Sequence, residues 1–126
     1  MTCQERIDLW KKQFESKNWS YEEIASNSIE IDTTDGVIIF ITACEDHTDI
    51  KLRNICSFNS NDFGAFVVAA NNFNKIMSDR HYFITDNSLN FAFTCPDSKI
   101  DIEYFIQVIY GNYCTVQAFK RNLGIG

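Results

Sequence analysis

Cys44 and His47 are the nearest thiol and imidazole in the chain, three positions apart where a strand is expected to end and turn. A thiol becomes a nucleophile when a base takes its proton and a third group orients that base. Neither an orienting partner nor an oxyanion motif accompanies this pair, so no catalytic residue is assigned and no enzymatic activity is expected. The same stretch offers Cys44, Glu45, Asp46, His47 and Asp49, all of them metal-ligand types. A structural zinc site takes four ligands, and no second pair follows at zinc-finger spacing, so the stretch reads as a solvated turn with no metal. The five glycines form neither a P-loop nor a Gly-x-Gly-x-x-Gly motif, which leaves no phosphate cradle and no expected cofactor. Glu22-Glu23 and Glu45-Asp46, taken as pairs, read as hydrated surface carboxylates.

The charge distribution says more than any single pair. A formal charge of -6 opposes nucleic-acid binding, which needs a basic face to displace counterions from phosphates. Between Asn18 and Ile50 there is no Lys or Arg but there are eight acids: Glu22, Glu23, Glu30, Asp32, Asp35, Glu45, Asp46 and Asp49. The other nine acids face all eleven basic residues, so the remainder carries 11 minus 9, or +2. Such a region steers basic partners toward itself. Glu30, Asp32, Asp35, Glu45, Asp46 and Asp49 are therefore assigned as candidate contacts to another protein with a basic surface.

Val37 to Ile41, like every other apolar run in the sequence, is too short to cross a bilayer, and Met1 to Trp10 lacks the basic start and apolar stretch of a signal peptide. No membrane contact and a cytoplasmic location are expected. Five cysteines with no Cys-x-x-Cys pair fit free thiols in a reducing compartment.

The elements that must position these residues follow from local signals. Thr2 and Glu5 form a capping box, and Cys3, Ile7, Trp10 and Phe14 share one face of the helix it starts, with Asn18 as its stop. Trp19, Tyr21 and Ile24 lie in an ambiguous stretch. Ser28 to Asp32 alternates as a strand, Asp35-Gly36 marks a hairpin turn, Val37 to Cys44 is a β-branched central strand, Glu45 to Thr48 turns, and Asp49 to Phe58 is a third strand whose alternation Ile55 breaks. Candidate N-caps in Asn59 to Asp62 precede a helix carrying Phe63, Phe66, Val67, Ala70, Phe73 and Met77. His81 to Thr85 and Leu89 to Thr94 form a hairpin that Pro96 ends. Asp101 caps a last helix with the stripe Ile102, Phe105, Ile106, Ile109, Tyr113, Val116 and Phe119. The expectation is a single α+β domain over 1–126: helix, three-stranded antiparallel meander, helix, β-hairpin, helix.

Asn71-Asn72-Phe73-Asn74 at the end of the second helix, then a short turn and a strand bearing Tyr82, resembles the YbjN-like family. The element order also resembles the type III secretion chaperone fold. The likeness is strongest from Asp62 to Asn122. Asn71 and Asn74 read as structural, because Asn tolerates a left-handed helix end and its amide can bond loose carbonyls or a neighbouring strand. The resemblance implies a non-enzymatic, chaperone-like domain that holds a partner polypeptide along its sheet or between its helices, with homodimerisation through the second helix. The alternative is an immunity protein that covers a basic toxin, such as a nuclease, with its acidic 18–50 region.

Overall fold

The structure is a computed structural model that describes residues 1–33 and 36–124. Asp35, one of the candidate contacts and half of the expected Asp35-Gly36 turn, lies outside the described residues. Helix α1 (Cys3–Ser16) starts at the expected capping box, with the Thr2 hydroxyl accepting from Glu5 N–H and the Glu5 carboxylate accepting from Thr2 N–H. It stops where Lys17 and Asn18 bond back onto its last turn, Asn18 at φ 58°.

Six strands then build one antiparallel sheet: β1 (Glu22–Ala25), β2 (Ser28–Asp32), β3 (Ile38–Ala43), β4 (His47–Ser57), β5 (Arg80–Thr85) and β6 (Ser88–Pro96), in the order β1-β2-β3-β4-β6-β5. Four strands precede α2 (Phe63–Ile76), where three were expected. The extra one, β1, is exposed along its whole length, so it shows no apolar alternation; its pairing with β2 makes it a strand. The turn after β3 is also tighter than expected. Cys44 N–H donates to the His47 carbonyl at 2.8 Å, so β4 begins at His47 and the turn ends before it. The broken alternation at Ile55 is a bulge: the register shifts between Leu52 and Cys56, Asn54 adopts φ 62°, and its N–H donates to Asn90 Oδ1.

A 3-10 turn, Ser60–Asp62, leads into α2, and neither Asn59 nor Asp62 makes a side-chain cap. The expected N-cap is thus replaced by continuous backbone turns. Helix α3 (Ile102–Asn122) is capped as expected, by Asp101 Oδ2 accepting from Tyr104 N–H, and Gln13 of α1 also accepts from Ile102 N–H at 2.9 Å.

All three helices lie on one face of the sheet. Trp10 of α1 donates its indole N–H to Thr48 on β4, Phe105 of α3 packs edge-on to Trp10 and Phe14, and Phe73 of α2 packs edge-on to Tyr82 on β5. Thr48 and Tyr82 pair with Cys95 and Phe91, which share that face of β6. The other face carries Glu30, Phe40, Thr42, Asp49, Lys51, Ala92 and His81, with no helix over it among the described residues. Among the described residues no helix is long and apolar enough to cross a membrane.

Candidate partner-binding site

The acidic residues divide between two places on the sheet. Glu30 and Asp32 lie two apart on β2, pointing to the uncovered face, and Glu22 of β1 stands directly opposite Glu30. Glu45 and Asp46 are exposed in the β3–β4 turn, and Asp49 follows on β4. These groups do not form one uninterrupted acidic surface. Lys51 and Arg53 stand beside Asp49 along β4, opposite Phe40 and Ile38, whose other partners are Glu30 and Asp32. Glu23 pairs with Lys11 of α1, which ties the outer strand to the helix layer.

At the β3–β4 turn the structure brings together most of the residues considered above for chemistry. Asp46 Oδ1 lies 2.6 Å from His47 Nδ1, Asp49 Oδ1 lies 3.2 Å from His47 Nε2, and Cys44 Sγ–H points to Asp49 Oδ2 at 3.5 Å. Glu45 makes no part of this cluster. Burial, together with the Asp49 carboxylate, pushes the Cys44 thiol above its usual range, and the Asp46 hydrogen bond raises the imidazole. The imidazole faces two carboxylates, and the thiol gives its hydrogen bond to one of them. Arg6 and Cys3 of α1 donate to the Cys44 carbonyl, and the Arg6 guanidinium also binds Asp97 through Nη2 to Oδ2 at 2.8 Å. Arg6 is 1% exposed, which nothing in the helical pattern signalled.

A second feature lies on the helix face. A cavity of about 780 Å³ opens between α3, the ends of β2 and β3, and the Asn18–Ser20 turn. Its walls are Trp19, Ile31, Ile39, Phe105, Ile106, Ile109 and Tyr113, with Asp32 at the polar end. The apolar stripe of α3 explains it. The side of the helix that reaches the core is Ile102, Phe105, Val108, Asn112 and Val116, so Ile106 and Ile109 are only half-buried and Tyr113 is 61% exposed, contrary to the stripe expected from sequence. Ile31 of β2 and Ile39 of β3 face that surplus apolar edge across the cavity and cover it only in part.

Of the two Asn residues assigned a structural role, Asn74 has it. Asn74 accepts from Tyr82 N–H and donates to the Tyr82 carbonyl, both at 2.8 Å, and so occupies the backbone groups of Tyr82 at the middle of edge strand β5. Asn71 is exposed. The Tyr82 hydroxyl is buried and donates to Asn112 Oδ1 at 2.7 Å, which accounts for an Asn inside the α3 core stripe; burial holds that phenol far above its usual pKa.

Three helices on one face of a six-stranded antiparallel sheet, with an Asn from the middle helix clamping the terminal strand, define an α+β domain of YbjN-like fold. The chain is similar to the solved structure of YbjN from E. coli, a proposed transcription regulator, with a TM-score of 0.56 at 11% identity, over 89% of this chain and 86% of that one. At that identity the likeness establishes the fold. No family model and no curated protein matches the chain.

Proposed function

We propose that this domain is a non-catalytic binder of another polypeptide, and that it seats an apolar segment carrying a basic residue in the groove beside α3. The groove is the observation that carries the reading. Its volume falls within the range of about 300–1,000 Å³ common to binding pockets, and its walls are apolar with few polar groups. Tyr110 and Tyr113 stand at its mouth, 68% and 61% exposed, and Tyr is favoured as an interface anchor.

Charge favours a basic partner. Glu22 and Glu30 are direct cross-strand neighbours, an arrangement that destabilises a sheet, and Asp32 continues the same row into the groove. A cation on the partner relieves that repulsion. The two sheet edges also differ: Asn74 occupies β5, whereas β1 is exposed throughout and follows directly from Trp19 and Ser20 in the groove wall. A partner strand that augments the sheet therefore adds at β1. A regulatory role like the one proposed for YbjN would act through protein contact, since a chain of charge -6 repels duplex DNA.

Peptide display on the immobilised domain tests this reading. Enriched sequences should combine apolar residues with Lys or Arg, shift the Trp19 indole resonance when added to labelled protein, and lose at least tenfold in affinity to Ile109→Glu. The alternative, capture of a basic toxin by the acidic surface, predicts loss with Glu30→Lys plus Asp32→Lys and indifference to Ile109→Glu. Selected peptides that leave Trp19 unmoved would overturn the groove as the site.

A further inference from the structure

We infer that Cys44, His47 and Asp49 form a divalent transition-metal site, with zinc as the fitting ion. Sequence spacing argued against a metal because only one cluster of ligand types exists and a structural site takes four. The fold supplies something different: three ligands converging at the end of the uncovered sheet face, with a fourth position open. The thiol sulfur, the imidazole and the carboxylate present ligand atoms that all lie within 4.8 Å of one another, each on a half-buried side chain.

The two separations made to Asp49 match edges of a coordination tetrahedron, and the sulfur and imidazole nitrogen lie within 4.8 Å of each other. Zinc bonds of about 2.3 Å to sulfur and about 2.0 Å to nitrogen or oxygen give tetrahedral edges of about 3.5 Å for sulfur to oxygen and about 3.3 Å for nitrogen to oxygen. The corresponding distances here are 3.5 Å from Cys44 Sγ to Asp49 and 3.2 Å from His47 Nε2 to Asp49. A small rotation of the Asp49 carboxylate, which now uses one oxygen for each neighbour, places a single oxygen on the ion.

The surroundings already hold the ligands in place. Asp46 binds His47 Nδ1 at 2.6 Å and thereby leaves Nε2 for the metal, the carboxylate–histidine arrangement that orients imidazole ligands and raises their basicity. The Cys44 backbone is fixed at both ends of its peptide, by its N–H bond to the His47 carbonyl and by the Arg6 and Cys3 donors on its own carbonyl. Sulfur, nitrogen and oxygen together suit a borderline-soft ion and exclude calcium or magnesium, which take oxygen. On binding, the Cys44 S–H proton goes to solvent as the sulfur–metal bond forms, and any proton on His47 Nε2 leaves likewise. Thiolate and carboxylate then neutralise the dication, and the open position faces solvent, where water or a partner's donor completes the shell.

Cobalt titration of the reduced, chelator-treated protein tests the site. One equivalent of Co²⁺ should produce a thiolate-to-cobalt charge-transfer band with the intense visible bands of a four-coordinate ion, and Zn²⁺ should displace it stoichiometrically. Cys44→Ser should abolish the charge-transfer band, and His47→Gln should weaken binding at least a hundredfold. Asp46→Asn should weaken it about 10- to 100-fold while leaving the band shape intact. Cys114→Ser, which removes the exposed thiol on α3, should change nothing. Circular dichroism of each variant reports folding, and the His47→Gln arm stands independently of Cys44→Ser. A six-coordinate spectrum without sulfur charge transfer, or a band that survives Cys44→Ser, would overturn the inference.

Discussion

Replacing Asn74 with Ala removes both hydrogen bonds that α2 makes to the Tyr82 backbone. Each such bond contributes about 0.5–1.5 kcal/mol net, so the pair contributes about 1–3 kcal/mol. Two corrections act in the same direction. Tyr82 lies on the outermost strand, so water can reach groups that would be stranded in a core, and Ala is the better helix former at a position inside α2 by about 0.5 kcal/mol. The expected loss is about 0.5–2.5 kcal/mol, centred near 1.5.

Urea unfolding followed by tryptophan fluorescence measures it, with an unchanged m-value. Amide exchange locates it, because Tyr82 N–H should lose protection before its neighbours in β6. Asn74→Asp separates the two bonds. It keeps the acceptor but sets a carboxylate against the Tyr82 carbonyl, so at neutral pH it should cost at least as much as Ala. Asn71→Ala, three residues earlier and exposed, should stay within about 0.5 kcal/mol of the parent. Equal losses at Asn71 and Asn74, or an unchanged Tyr82 amide, would refute the clamp.

Phe105→Ala should cost about 3–5 kcal/mol in the same assay, since its 1%-exposed ring packs against Trp10, Phe14 and Trp19. In metal-free protein the His47 imidazole should titrate above its usual value and fall back in Asp46→Ala, as read by ring-proton shifts. Its stabilising contribution is present below the unfolded pKa and fades as pH rises through the folded one; that of Asp46, held low, fades as pH falls. Cys95, pushed up to about 12 by burial, should resist alkylation at pH 8 in the native protein, and Cys44 should be slowed for the same reason; a Cys44 thiol faster than free cysteine would instead favour a thiol enzyme. Phe63, Val68 and Ile76 are exposed on α2, where Lys75 is the one charge, so a homodimer through this helix should dissociate in Val68→Glu by sedimentation.

What was legible in the sequence was whatever a few neighbouring residues decide. Thr2 with Glu5, and Asp101 before Ile102, announce helix starts because capping is a local bond. Ile29 and Ile31 announce β2 because alternate residues of one strand enter one core. Strand β1 was not legible, because none of its side chains is buried and its only reason to extend is the edge of β2. Arg6 and Asn112 were missed because each is a polar residue buried by a distant partner, Asp97 or Tyr82. The groove escaped for the converse reason. The α3 pattern shows how much apolar surface the helix carries, but only the assembled sheet shows how much of it finds cover.

The acidic region shows how a count along the chain and a field in space part company. Along the chain, the basic residues resume only at Lys51, after the last of eight acids. In the sheet, the antiparallel return of β4 places Lys51 and Arg53 one strand away from Phe40 and Ile38, and two strands from Glu30 and Asp32. Two strand spacings are about 10 Å, close to one Debye length at physiological salt, so those cations already weaken the field over β2. His47 takes up Asp46 and Asp49 in the same way at the turn. The negative potential that remains at Glu22, Glu30 and Asp32 lies on the uncovered face beside the open edge, and of these three Asp32 alone also lines the groove. A basic partner steered toward this row meets the apolar surface at the Asp32 end of the groove, and the steering should weaken with Glu30→Lys while surviving Asp46→Asn.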